Sequence, residues 1–388
     1  MAKIFIRGEG LIPSARSRVR ALGRIFSVLN PRPIPYKNNI PRPFRAGLLI
    51  YGVLLFCLTP GFSLFAQAED FLIRGTVLVR YQGRSENVVI PSNVTSIAFE
   101  AFAGNRQFPV SVTIPPTVTS IGNRAFANAS GLTYINLPQS ITSIGDYAFL
   151  GCRNLTTLHL PQSLSSIGHY AFHGCSGLTN ITIPSSVTSI GNFAFARNSN
   201  LSVVNIAASI SRIGDGTFSD CTSLTSITIP TTVTHIGDRA FAGSTSLTSI
   251  SIPQNVTTVG NNAFAGCTSL LTATITANLS RIGDGTFSGC TSLTNITIPT
   301  TIISIGDRAF ERCSNLVNIN IPSGVTHIGS NAFTDCTSLA SIVIPPSVIS
   351  IGYRAFAGCR NLKFAVISRG THFAPDTFPP GTEIIYRE

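Results

Sequence analysis

No tryptophan occurs in the 388 residues, the sole methionine is the first residue, and only 11% of the side chains are charged. Soluble domains average about 25% charge, so solubility here must come from uncharged polar groups. The low charge accompanies 44% hydrophobic residues, which excludes an intrinsically disordered chain. Ala, Glu, Lys, Leu and Arg do not dominate, which excludes a long coiled coil. No P-loop, dinucleotide-binding fingerprint or nucleophile elbow occurs in a strand–turn–helix setting. Enzyme chemistry therefore has no residues to stand on, and no cofactor is expected.

The formal charge of +11 is unevenly distributed. Residues 1–45 hold ten basic side chains (Lys3, Arg7, Arg16, Arg18, Arg20, Arg24, Arg32, Lys37, Arg42, Arg45) against Glu9. From Glu69 onward 17 basic and 15 acidic residues leave only +2. Phosphate backbones need a sustained basic surface, so nucleic acid is not an expected partner. Ala46–Ala68 contains no charge; its apolar run Leu48–Leu58 has the length of a signal-peptide core, and Pro60-Gly61 follows it. Ala66-Gln67-Ala68 offers the small-x-small pattern that signal peptidase reads, predicting cleavage after Ala68. An uncleaved leader would be the only segment to meet a membrane. The expected location is secreted or cell-surface.

After the leader, a period of 23 residues takes over. Pro115, Pro138, Pro161, Pro184, Pro230, Pro253, Pro299, Pro322 and Pro345 keep one register over 230 residues, with Ala207 and Thr276 in the two slots that lack proline. Phe126, Phe149, Phe172 and their successors to Phe356 keep the same register, and Phe102 adds a unit offset by one residue. A fixed period is the mark of a repeat architecture. A second periodicity of 69 residues, three units, relates Ala207–Phe218 to Thr276–Phe287.

One unit runs Leu224-Thr-Ser-Ile227-Thr-Ile229-Pro230-Thr-Thr-Val233-Thr-His-Ile236-Gly237-Asp238-Arg-Ala240-Phe241. The alternation around Ile227 and Ile229 predicts a short strand, ended by Pro230, which has no backbone donor. Val233 and Ile236 turn a second apolar edge inward. Gly237 is expected at a tight or left-handed turn, and Asp238 as the cap of a short helical turn presenting Ala240 and Phe241. About seven inward side chains per unit are too few for a core, so stacking must supply it. The expected fold is a repeat solenoid of about twelve coils, β-dominated with short helical turns and one parallel β-sheet face. Strands ~4.8 Å apart would make a stack roughly 55–60 Å long. The expected organisation is a leader over 1–68, an N-terminal cap over 69–87 with strands around Gly83, the solenoid over 88–362, and a C-terminal cap over 363–388 that loses the register.

The pattern Leu-x-x-Ile-x-Ile-Pro-x-x-Val-x-x-Ile-Gly-x-x-Ala-Phe-x-x-Cys, over about residues 88–362, resembles the BspA-type leucine-rich repeat. The lead-in Gly75–Gly83 followed by Val89-Ile90-Pro91 is similar to the opening strand of that family. The resemblance implies a solenoid displayed outside the cell, with adhesion to proteins or cells as a loosely implied role and no catalytic residues.

Cys152, Cys175, Cys221, Cys267, Cys290, Cys313, Cys336 and Cys359 each lie three residues after a ladder phenylalanine. Neighbouring coils would bring some within disulfide range, and export permits oxidation. Ala129, Asn198 and Ser244 share the slot, Cys221 has no neighbour and the last run is odd, so mostly free, buried thiols are expected. A straight ladder cannot surround zinc. His169 and His173, four residues apart, lack the adjoining Glu of a metalloprotease helix and read as surface positions. Asp215-Gly216 and Asp284-Gly285 read as turn chemistry, not calcium ligation, so no metal site is expected.

The outward row between the two inward Ile positions is Thr113, Asn136, His159, Thr182, Asn205, Thr228, Ser251, Thr274, Thr297 and Asn320, followed by Val343. It is hydroxyl- and amide-rich, without fixed charge. Solvation of a β-surface explains such a row; so does an extended face that binds an extracellular protein or glycan. The expected function is a non-catalytic, exported binding protein, most simply an adhesion module. The alternative is a structural envelope protein that self-associates.

Overall fold

The computed structural model describes residues 66–106 and 109–387, all within the unit Phe62–Glu388. The leader, residues 1–68, lies almost wholly outside the described residues. Among the described residues, no helix is long and apolar enough to cross a membrane.

The chain coils into a β-solenoid in which equivalent residues of successive coils lie one above another. Strand pairing is parallel with a register of one repeat: Ser249–Ile252 pairs Thr272–Ile275, Ser251 opposite Thr274. Leu224, Ile227, Ile229, Val233, Ile236, Ala240 and Phe241 all point into the core and are buried. A column of stacked rings runs through the core from Tyr81 through twelve phenylalanines, Phe102 to Phe356, to Phe378, with centroids 4.7–5.7 Å apart. Such ring pairs add about 0.5–1.5 kcal/mol each beyond their burial.

Both caps thus continue the stack. The C-terminal cap does so while leaving the 23-residue register: Phe364–Ser368 pairs with Ser341–Val343 at that period, but Glu383 pairs with Phe364, only 19 residues earlier. At the other end Phe71–Arg74 and Val77–Tyr81 form an antiparallel hairpin. Its turn holds Gly75 at φ 62°, and the strands Val77–Tyr81 and Asn87–Val89 flank Gly83.

The coils build two parallel faces, where one was expected, although the coil of Leu316–Ile321 has no strand on the first. The first comes from the Ile-x-Ile segment. The second comes from the Ser-Ile pair before the glycine, as in Ser143–Ile144, Ser166–Ile167 and Ser189–Ile190. Both sheets are interrupted. The second breaks between Ser189–Ile190 and Arg212–Ile213, and again between Thr258–Val259 and Arg281–Ile282. Those breaks fall at the two coils without proline. There the amides of Ala207 and Thr276 donate to Ile183 O and Ile252 O, each at 3.0 Å, a bond proline cannot make. The first-sheet strands lengthen to four residues at both places.

The expected helical turns are absent among the described coils; the corner before each phenylalanine is left-handed. Arg239 has φ 54°, and Tyr147, Tyr170, Phe193, Asn262 and Arg308 take φ 55–58° at the same slot. This conformation costs roughly 1–2 kcal/mol per non-glycine residue. It aims the amide along the stack: Arg239 N–H donates to Asn261 O at 2.9 Å and Phe241 N–H to Ala263 O at 2.8 Å. The corner is therefore a third line of coil-to-coil hydrogen bonds, each contributing about 0.5–1.5 kcal/mol.

Gly237 is not left-handed. Its role is close approach: a Cβ there would lie 2.6 Å from Asp215 N and 2.7 Å from Gly214 C, on the coil before. Asp238 does not cap its own turn either. Its Oδ1 accepts from Asn261 N of the next coil at 2.8 Å. That bond is one rung of a ladder running from Asn123 through Asp146, His169, Asn192, Asp215, Asp238, Asn261, Asp284 and Asp307 to Ser330, at 2.7–3.1 Å.

Candidate interaction surface

The ten residues of the first-sheet row, Thr113, Asn136, His159, Thr182, Asn205, Thr228, Ser251, Thr274, Thr297 and Asn320, are all exposed. In-register pairing puts Thr113 beside Asn136, Thr182 beside Asn205 and Ser251 beside Thr274. His159, Thr228, Thr297 and Asn320 lie outside the strands, so the row crosses the interruptions of the sheet. Val343 closes it, 45% exposed.

Among the described residues, none of these ten side chains hydrogen-bonds within the protein. That separates them from exposed and half-buried hydroxyls nearby. Thr133, Ser202 and Thr248 donate to main-chain oxygens of the preceding coil at 3.0–3.2 Å. Thr142, Thr234 and Thr257 do the same at 3.1–3.2 Å. Some Ser/Thr rows thus bind the stack together, whereas the side chains of the predicted row make no such bond among the described residues.

A second uncommitted row went unread in the sequence. Ser96, Ser120, Ser143, Ser166 and Ser189 stand opposite one another in the second sheet, and none of their hydroxyls hydrogen-bonds within the described protein. With the side-chain ladder, Ser143, Ser166 and Ser189 border a trough of about 620 Å³ whose floor includes Gly145, Gly168 and Gly191. A similar trough of about 470 Å³ runs from Arg281 to Gly352. The recurrence of Ser-Ile-Gly was the available clue. It was hidden because the outward serine is meaningful only once a second sheet exists.

The eight cysteines of the described chain are free, buried thiols. They are also donors: Cys267 Sγ lies 3.3 Å from Phe241 O, and Cys175 Sγ 3.0 Å from Phe149 O. Burial pushes the thiols of Cys221, Cys267 and Cys313 up to about 12, the wrong direction for a nucleophile or thiolate ligand. His169 and His173 do not converge on a shared ligand position. His169 Nδ1 accepts from Asn192 N at 2.9 Å, and the His173 ring packs against Tyr170 at 5.5 Å. No cluster of metal-ligating side chains occurs among the described residues. Asp215 and Asp284 pair with Arg212 and Arg281 of their own coils.

The family model described as the BspA type leucine rich repeat region matches in six copies, over residues 80–167, 142–271 and 259–379. A leucine-rich repeat protein from Bacteroides ovatus is similar over 81% of this chain and 94% of its own, with 31% identity and a TM-score of 0.56. A leucine rich cell surface protein from Faecalibacterium prausnitzii is 28% identical over 82% of this chain and 93% of its own, with a TM-score of 0.55. A leucine-rich repeat protein from Eubacterium ventriosum is 25% identical over 77% and 90%, with a TM-score of 0.51. Comparison with curated proteins finds no match.

Proposed function

The chain belongs to the BspA-type leucine-rich-repeat family, and from that membership we propose that it is an exported, non-catalytic binding protein whose first sheet face contacts a protein or glycan outside the cell. The observation that carries this reading is the row of ten exposed polar side chains that make no hydrogen bond within the described protein. A long array of uncommitted donors and acceptors on a rigid scaffold favours many weak, simultaneous contacts. Adhesion at a cell surface is the simplest role of that kind. The similar Faecalibacterium protein is described as a cell surface protein, which supports display; so does the charge-free segment Ala46–Ala68 behind its basic head.

Two measurements test the reading. N-terminal sequencing of the exported protein is expected to start at Glu69; retention in the cytoplasm would remove the premise. Substituting Asn136, Thr182 and Thr228 together by Arg is expected to abolish saturable binding to extracellular-matrix proteins or cell-surface glycans. Binding that survives this change rejects the face as the contact surface. Concentration-dependent self-assembly of the pure protein, blocked by the same change, would favour the assembly role instead.

A further inference from the structure

We infer that the trough along the second sheet, between Asn123 and Arg212, is a binding site for an uncharged linear glycan lying parallel to the stacking axis, one sugar unit per coil. This inference concerns a different face from the one above and does not rest on that reading.

The trough is built of repeated rungs. Each carries a serine hydroxyl on one side, a glycine in the floor and a ladder residue on the other: Ser143 with Gly145 and Asp146, Ser166 with Gly168 and His169, Ser189 with Gly191 and Asn192. Ser143 pairs with Ser166, and Ser166 with Ser189. The neighbouring hydroxyls of Thr142, Ser165 and Thr188 all donate to carbonyls of the coil before. The three serines do not, so each rung offers an unused donor and acceptor. Asp146 adds a carboxylate whose Oδ1 takes one amide, while its Oδ2 has no hydrogen-bond partner among the described residues. Hydroxyls and a carboxylate are groups that bind sugar hydroxyls; the Asn192 side-chain amide is already held at both ends by Asp215.

Charge and spacing decide among linear polymers. The lining holds one carboxylate, Asp146, and one guanidinium, Arg212; this balance suits neither a nucleic acid nor a sulfated polysaccharide, both of which need a basic track. Rungs repeat with the coils, whose stacked rings in this region lie 5.0–5.7 Å apart. A peptide advances about 3.3 Å per residue as a strand and about 3.1 Å in a polyproline helix, so neither one residue nor two match a rung. An equatorially linked pyranose chain advances by about one rung per sugar, with alternate units turned over, so that every second unit stands in the same relation to its serine. The floor of the trough includes Gly145, Gly168 and Gly191. Its glycines are held by stacking, since a Cβ on Gly168 would lie 2.5 Å from Asp146 N.

The test is calorimetry or chemical-shift titration of the purified protein with cello- and chito-oligosaccharides, from the disaccharide to the hexasaccharide. Affinity is expected to rise with length to about the trisaccharide and then level off, because three full rungs line the trough. S166R, which fills the trough without touching the core, is expected to weaken binding at least about tenfold at an unchanged melting temperature. S143A/S166A is expected to weaken it less. T182R, on the first face, is expected to leave it unchanged. Absence of binding to either series, affinity independent of length, or binding indifferent to S166R overturns the inference. So does tighter binding of a heparin hexasaccharide or a proline-rich peptide. If T182R alone abolishes glycan binding, the contact belongs to the first face: the trough is refuted and the earlier reading stands.

Discussion

Ser244 donates its hydroxyl to the main-chain oxygen of Phe218 at 3.0 Å, in the slot where eight other coils place a cysteine bonded the same way. In nine coils that slot holds a small buried donor, and sulfur is one way to supply it, while Ala129 fills the slot with no donor at all. Cys290→Ser is therefore expected to cost less than about 1.5 kcal/mol, because the bond to Phe264 O is kept. Chemical denaturation of the variant checks this, and a loss above about 3 kcal/mol would show that sulfur is needed for packing.

Asn198 occupies the same slot and is fully buried, yet neither its Nδ2 nor its Oδ1 finds a partner. An unpaired buried polar group costs about 1–3 kcal/mol. Asn198→Cys is thus expected to raise stability by that order, measured as a shift of the denaturant midpoint at constant slope.

The same thiols should be silent toward reagents in the folded protein. With burial holding Cys221, Cys267 and Cys313 up to about 12, the thiolate fraction at neutral pH is negligible. Titration with an aromatic disulfide is expected to detect none of the eight natively and all of them in guanidinium. Fast native reaction of any one would show that its coil opens.

Gly237 and Arg239 should respond in opposite ways to substitution. Gly237→Ala places a methyl 2.6 Å from Asp215 N and is expected to destabilise by about 1–3 kcal/mol or more. Arg239→Gly relieves a left-handed residue at φ 54° and is expected to be neutral or stabilising by up to about 1 kcal/mol. Calorimetric melting of the two variants side by side decides the matter.

His173 is the site of a pH dependence. Burial, and secondarily the charge of Arg197, lower its pKa below the ordinary histidine value. Folding therefore favours the neutral ring: the stability it contributes is present above about pH 6.5 and is lost as the pH falls toward the lowered folded value. His173→Gln is expected to flatten that part of the profile of melting temperature between pH 7.5 and pH 5. An unchanged profile would assign the acid sensitivity to other groups.

The legible part of this protein was whatever repeats by position. A residue every 23 that is Leu, Ile, Val, Ala or Phe must point one way in every coil, so the core, the stacking, the thiol column and the exposed Thr113–Asn320 row could all be read from spacing. The matching family pattern fixed the same architecture from the same positions.

What the spacing left open was how one coil bonds to the next. The left-handed slot accepts Arg, Tyr, Phe, Asn and Gly alike, so no residue type announces it; only the line of amides it directs at the next coil explains why it persists. Asp238 looked like a local cap because its true acceptor role lies 23 residues on, at the amide of Asn261. Gly237 looked like a flexible corner because the backbone that excludes its side chain belongs to another coil. Inward side chains are set by a pattern along the chain, whereas hydrogen bonds between coils depend on backbone direction and distance in space, which only the folded stack supplies.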